Sequence, residues 1–117
     1  MIPNQVEIVL RLSELSRLLD KATDEIAVLD EEAVTAKQTA EVAEAKAYLQ
    51  ADGSIEARKA QATVQVADLV LHAELAAAKH RACRERIRTL GLQIEVGRTL
   101  SAATRSQFTS EAVGQWT

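Results

Sequence analysis

Apolar residues recur along the first 50 positions of the chain at spacings that alternate between four and three. This rhythm places them on one side of an α-helix and is typical of a coiled coil, in which that side packs against another helix. Pro3 suits the first turn of such a helix, and nothing breaks the pattern before Gln50. The stripe, seam 1, consists of Ile8, Leu12, Leu15, Leu19, Ala22, Ile26, Leu29, Ala33, Ala36, Ala40, Ala43 and Ala47.

A second stripe with the same rhythm follows a turn signal at residues 51–54. Gly53 can adopt the left-handed conformation that ends a helix, and Ser54 can cap the next one. The pattern therefore predicts a helix over 3–50, a turn at 51–54 and a second helix over 55–108. The second stripe, seam 2, consists of Ala62, Val66, Leu69, Ala73, Ala76, His80, Cys83, Ile87, Leu90, Ile94 and Gly97.

The two stripes match each other when the chain folds back at Gly53. Facing residues of two antiparallel helices have numbers with a constant sum, and the seams meet this condition along their whole length. Examples are Ala43 with Ala62, Leu29 with Ala76, and Leu15 with Leu90. The expected fold class is therefore all-α, a long antiparallel two-helix coiled-coil hairpin formed by residues 1–108.

A surplus of apolar residues lies outside the seams, most of it toward the two chain termini. A two-helix hairpin buries one stripe on each helix, so the surplus favours packing against a second copy in a four-helix bundle. The alternative is that these residues widen a single seam. The expected oligomer interface comprises Val6, Val9, Leu10, Leu18, Leu92, Val96 and Leu100. A further face is offered by Val64, Leu71, Leu75, Ala78 and Ala82.

Residues 109–117 are expected to form a C-terminal tail. Two of the three aromatic residues of the chain, Phe108 and Trp116, lie beside or within it. Because a tryptophan is a common anchor of protein interfaces, the tail is expected to dock on a protein partner. The alternative is that it packs back against the leucine-rich base of the hairpin.

Composition narrows the class of protein further. Aromatic residues are 3% of the chain, with four glycines and one proline, which excludes collagen-like and Pro/Gly-rich disordered chains and disfavours an all-β fold. The single cysteine, Cys83, has no partner for a disulfide within the chain, as is typical of a reducing compartment. The chain start lacks the pattern of a signal peptide, and no apolar run approaches the roughly 18 residues of a membrane span. We therefore expect a cytoplasmic protein without a membrane segment.

The net charge of −3 is unevenly distributed. Residues 1–50 hold five basic and ten acidic residues, whereas residues 51–117 hold nine and seven. A basic run at 79–88 faces the acidic part of the first helix in the fold-back register, and part of this charge is expected to form ion pairs. Two such pairs are Glu25 with Lys79 and Glu32 with His72. The candidate nucleic-acid-binding residues, left on an outward face, are Arg81, Arg84, Arg88 and Arg98. Such arginines could contact phosphates, and the alternative is that they form an ordinary solvated helix face. No aromatic residue lies nearby to stack on bases, which disfavours recognition of single strands by stacking.

No constellation of catalytic residues emerges from the sequence. His80 and Cys83 share one helix face and have the spacing of two zinc ligands, but a structural site needs two more, and no second cysteine exists. His80 is therefore interpreted as a polar residue in the seam, and Cys83 as a small buried one. A bare hairpin offers no deep pocket in which to bind a small substrate or shift a pKa. We expect no enzymatic activity, metal or cofactor.

Several segments resemble small helical proteins encoded by phages and prophages of Gram-positive bacteria. The turn region carries the sequences AKAYLQADGS at 45–54 and EARK at 56–59, and the second helix carries ACRERIRTL at 82–90 and IEVGRTLSAA at 94–103. The closing GQWT at 114–117 is similar to the versions in phages of actinobacteria. Such proteins tend to be encoded near phage recombination and replication functions. The resemblance implies a phage accessory role in the host cytoplasm and supplies no site residues.

Three hypotheses about function follow. The first is a non-enzymatic phage accessory protein, a homo-oligomer that acts through protein–protein contacts with a partner such as recombination or replication machinery. The second is a DNA-binding accessory protein that uses the arginine face of the second helix. The third is a structural or scaffold component.

Overall fold

The computed structural model describes residues 4–114, with side chains described as far as residue 107. It contains three helices, α1 (Gln5–Gln50), α2 (Ile55–Gln65) and α3 (Ala67–Gly114). No strand occurs among the described residues. The predicted all-α class is confirmed. Pro3, which was expected in the first helical turn, lies outside the described residues.

The start of α1 is fixed by reciprocal hydrogen bonds between a capping residue and the first turn. The Glu7 backbone N–H donates to Asn4 Oδ1 at 2.8 Å, and the Asn4 N–H donates to Glu7 Oε2 at 3.2 Å. This arrangement is a capping box, in which two backbone donors that lack helical partners are satisfied together. Glu7 also places a negative charge at the positive end of the helix dipole.

The turn at residues 51–54 has the predicted chemistry. Gly53 has a φ of 106°, the only positive φ among the described residues. Ser54 is the N-cap of α2, and its hydroxyl oxygen accepts from the Ala57 N–H at 3.2 Å. Two side chains of α2 close over the turn, because Arg58 Nε donates to the Gly53 carbonyl at 3.1 Å and Gln61 Nε2 donates to the Asp52 carbonyl at 2.9 Å.

The second arm of the chain is two helices and not the single helix expected over 55–108. The division falls at Val66, which has φ −104° and ψ 10°. Two hydrogen bonds of helical spacing span this point, since the Val66 N–H donates to the Ala62 carbonyl at 3.2 Å and the Val70 N–H donates to the Val66 carbonyl at 3.0 Å. Three β-branched residues crowd this segment, Thr63, Val64 and Val66, and such side chains fit a helix less readily. The feature is therefore a local distortion of the backbone.

The C-terminal helix is longer than expected. Residues 109–114, assigned to a tail by the sequence pattern, are the last residues of α3. No glycine or proline interrupts the chain between Gly97 and Gly114, so nothing ends the helix before Gly114. Trp116 lies outside the described residues, as does the side chain of Phe108, and the proposed docking role of the tail stays a prediction.

The chain divides into two compact units. Unit 1 consists of Met1–Asp24 and Glu85–Thr117, and unit 2 is Glu25–Arg84. In unit 1 the two helical segments are antiparallel, because Gln5 Nε2 donates to Ser101 Oγ at 3.1 Å while Leu12, later in α1, packs against Gly97, earlier in α3. Its buried hydrophobic residues all belong to the predicted seams: Ile8, Leu15, Ala22, Leu90 and Ile94.

Unit 2 also packs as an antiparallel pair, with a core of smaller residues. Ala47, Ala62 and Val66 form a buried cluster beside the turn, and Asp30 contacts His80 toward the other end of the unit. The buried hydrophobic residues again all come from the seams: Ala36, Ala40, Ala47, Ala62, Val66 and Cys83. Leu69 departs from the expected pattern, because its side chain is 38% exposed.

The two glycines of α3 are expected to respond oppositely to alanine. At Gly91 an added methyl group meets no atom within 4 Å, so Gly91→Ala gains about 1 kcal/mol of helix propensity. At Gly97 the same propensity gain is opposed, because the added group lies 2.6 Å from Leu12 Cδ2 and 3.2 Å from Leu12 Cγ, so Leu12 must move in a packed interface, at about 1–3 kcal/mol. Chemical denaturation measures both. We expect Gly91→Ala to raise the free energy of unfolding and Gly97→Ala to lower it; equal increases would contradict the close approach.

Candidate interaction surfaces

The residues predicted to form an oligomer interface occupy two different places in unit 1. Val6 lies two residues before Ile8 and Leu10 lies two residues after it, which places both about 200° around the helix from Ile8. Because Ile8 faces the core, Val6 and Leu10 lie on the side of α1 away from the core. Val6 is 67% exposed and Leu10 is 65% exposed, and Val9 is exposed beside them. Leu18 is half-buried. The three interface residues of α3 lie elsewhere, in a groove between the helical segments: Leu92, Val96 and Leu100.

This unit 1 groove is largely apolar and has a volume of about 410 Å³. Its α1 side is formed by the seam residues Ile8, Leu12 and Leu15, which also face the core. On the α3 side Leu92 and Val96 are more than half exposed. The polar lining residues are Arg11, Thr89 and Gln93. The groove is therefore a shallow apolar surface that extends directly from the core of the unit.

Unit 2 carries a larger groove, of about 750 Å³, with charged walls. Val28 of α1 and Leu69 and Leu75 of α3 supply exposed apolar side chains. The charged or titratable residues are separated by helix, acidic on α1 and basic on α3: Glu31, Glu32, His72 and Lys79. We name this surface the charged groove.

The ion pairs expected across this groove do not form. Neither Glu25 with Lys79 nor Glu32 with His72 approaches within 4.0 Å. The ion-pair contact between the helices of unit 2 joins His80 Nε2 to Asp30 Oδ1 at 3.6 Å, and it is an ion pair only when the imidazole is protonated. Asp30 is exposed, whereas the His80 side chain is 22% exposed. His80 thus keeps its ring in the seam while one ring nitrogen reaches the rim.

A second groove in unit 2, of about 470 Å³, has a different charge pattern. Val34 and Val70 supply its larger apolar residues. Its charged residues are Lys37, Glu41, Glu44 and Glu74, so acids predominate on both helices. We name this surface the acidic groove.

The candidate nucleic-acid-binding arginines are divided between the units. Arg81 and Arg84 belong to unit 2, and Arg88 and Arg98 belong to unit 1; all four are exposed. Arg88 Nη1 lies 3.5 Å from Oε2 of Glu85, which is in the preceding helical turn. Among the residues whose side chains are described, the other three have no carboxylate within 4.0 Å.

A metal site does not assemble around His80 and Cys83. Cys83 is buried at 6% exposure, and no group of three His, Cys, Asp or Glu residues in the described part of the chain could hold a metal ion. None of the described helices is long and apolar enough to cross a membrane. No family model, curated protein or solved structure matches this chain. Its exposed surfaces are therefore the observations from which a function is inferred.

Two features were missed by sequence reasoning although the sequence contains their signals. The first is the hydrogen-bonded pair Gln5 and Ser101. Gln5 lies three residues before Ile8, the first residue of seam 1, and Ser101 lies four residues after Gly97, the last residue of seam 2, so each continues the spacing of its seam. The charged groove is signalled by Val28, an apolar residue outside seam 1 in a short apolar run that lies between two acidic segments. The groove was missed because its charged residues were assigned to ion pairs within the chain.

Replacement of His80 tests whether its polar group stabilises unit 2. His80→Leu is expected to raise the free energy of unfolding by about 1 kcal/mol, because a largely buried aliphatic side chain replaces an imidazole next to a solvated carboxylate. Asp30→Asn is the matched control, which removes only the charge and is expected to change stability by less than about 0.5 kcal/mol. Urea denaturation at neutral pH measures both. Destabilisation by both variants would show that the contact contributes substantially.

Proposed function

We propose that this protein is a non-enzymatic interaction protein that self-associates and acts through protein–protein contacts. The observation that carries the proposal is the unit 1 groove, where Leu92, Val96 and Leu100 remain exposed beside the core. These three residues lie at successive turns of α3, so they form a continuous apolar ridge suited to another helix. Contiguous apolar surface of this kind is typical of interaction sites.

Covering this ridge contributes favourably to the free energy of association. Complete burial of a valine or leucine side chain contributes about 1.5–3 kcal/mol, so three that are about half exposed offer roughly 2–4 kcal/mol per copy. In a symmetric dimer both copies bury the same ridge, so this contribution is made twice. The cost of the lost translational and rotational freedom is subtracted from the sum. Val6, Val9 and Leu10 add apolar surface on the outer side of α1.

The resemblance of the sequence to phage-encoded helical proteins supports an accessory role in an infected bacterial host. In this proposal the protein is cytoplasmic and contacts a protein of the recombination or replication machinery. Self-association would multiply the number of identical contacts offered to such a partner and so raise the overall affinity.

A charge placed in the unit 1 groove tests the proposed self-association. The wild-type protein is expected to sediment as a dimer or larger species at micromolar concentration. Val96→Glu is expected to shift it toward the monomer, because a carboxylate would be buried in an apolar contact. Ala102→Glu is the matched control, because it adds the same charge at an exposed position of α3 outside the groove. A monomeric wild-type protein, or equal effects of the two substitutions, would contradict the proposal.

A second candidate function is DNA binding by exposed arginines. The observation in its favour is that Arg81 and Arg84 in unit 2 have no carboxylate within 4.0 Å among the residues whose side chains are described, so their charges are available to phosphates. Fluorescence anisotropy with labelled DNA is expected to show binding that weakens steeply with salt and is reduced by Arg81→Glu with Arg84→Glu. The matched control changes Arg17 and Lys21, two exposed cations of α1, to Glu. Absence of binding at low salt would remove DNA as a direct ligand.

A further inference from the structure

We propose that the charged groove of unit 2 is the docking surface for the charged groove of a second copy of the chain, with α1 of each copy lying over α3 of the other. This inference rests on the proposed self-association and specifies the partner and the relative direction of the helices.

The charged groove combines exposed aliphatic side chains with charged residues, a composition suited to a surface that is buried when two proteins associate. Val28 and Leu75 are each more than half exposed and Leu69 is 38% exposed, so three large aliphatic side chains from both helices line one depression. Glu31, Glu32 and Lys79 have no ion-pair partner within 4.0 Å in the described part of the chain. The apolar strip is therefore exposed in unit 2, and the three charges beside it form no ion pair within the unit.

The separation of charge by helix makes this surface complementary to itself in one orientation. A two-fold axis parallel to the helices places α1 of one copy over α3 of the other. This axis preserves position along the helices, so Glu31 and Glu32 would approach Lys79 and His72 of the second copy. A two-fold axis across the helices would place α1 over α1 and bring carboxylates against carboxylates. Since like charges across an interface are unfavourable, the charges select the first orientation.

The acidic groove lacks this complementarity. Each copy would contribute three carboxylates and one amine, from Glu41, Glu44, Glu74 and Lys37, and acids lie on both helices. An axis across the helices would bring the α1 carboxylates of the two copies together, and an axis along the helices would offer Glu41 and Glu44 no basic residue of the groove on α3. The same reasoning therefore favours the charged groove over the acidic groove as a contact between copies.

Charge reversal and mixing provide the test. Variant A carries Glu31→Lys and Glu32→Lys, and variant B carries His72→Glu and Lys79→Glu. Sedimentation velocity is expected to show that each variant alone self-associates at least about tenfold more weakly than the wild type, equivalent to about 1.4 kcal/mol. An equimolar mixture of A and B is expected to recover association, because every contact between the two different copies then joins opposite charges.

Controls separate this effect from folding and from simple changes in net charge. The matched control for variant A is Glu41→Lys with Glu44→Lys, the same change on the same helix in the acidic groove, and it is expected not to weaken association. Leu75→Ala removes part of the apolar strip without altering charge and is expected to weaken association. Circular dichroism establishes that each variant is folded.

The possible failures are distinguishable. If the wild type associates and variants A and B associate equally well, the proposed function stands and the docking surface is overturned. If A and B are weakened but their mixture stays dissociated, the charges act within each chain and the docking surface is likewise overturned. If the wild type is monomeric at every concentration, both proposals are overturned.

Discussion

The packing of seam 1 against seam 2 is the interaction on which each unit depends. All of the buried hydrophobic residues in the described part of the chain belong to one of these stripes. A seam with a spacing of three and four leaves the remaining positions of each helix outside the core, so the surface residues are chosen almost independently of the fold. That independence allows a chain with very few aromatic residues to carry an apolar groove in one unit and a charged groove in the other.

Polar residues inside the seams contribute differently from the apolar ones. Gln5 and Ser101 form a hydrogen bond in unit 1, while Oε1 of Gln5 is buried without a partner among the described residues. The pair nevertheless restricts which residues can face each other, because any shift of one helix along the other would break this hydrogen bond and leave both polar groups without a partner. His80 has a similar place in unit 2, where its ring reaches Asp30.

Sequence periodicity was sufficient to predict the all-α class, the first helix, the turn and the buried seam residues, because these depend on local spacing and on the special backbone freedom of Gly53. It was insufficient at Val66, where the crowding of β-branched residues distorts the backbone. The predicted oligomer interface combined residues from two different surfaces. Spacing alone did not distinguish Val6 and Leu10, on the outside of α1, from Val96, which lies in a groove. The ion pairs failed because facing positions in a register do not determine whether two long, solvated side chains meet.

The alanines of unit 2 have a consequence for the heat capacity of this protein. An alanine side chain has no rotamers to lose, so the alanines in the seam of unit 2 are ordered without a side-chain entropy penalty, whereas each leucine or isoleucine in the seam of unit 1 loses about 0.5–1 kcal/mol. Alanine also hides little apolar surface from water, and the heat-capacity change on unfolding scales with that surface. Unit 2 therefore contributes less curvature per residue to the dependence of stability on temperature than unit 1 does. The choice of seam residue sets how steeply each unit loses stability on heating and on cooling.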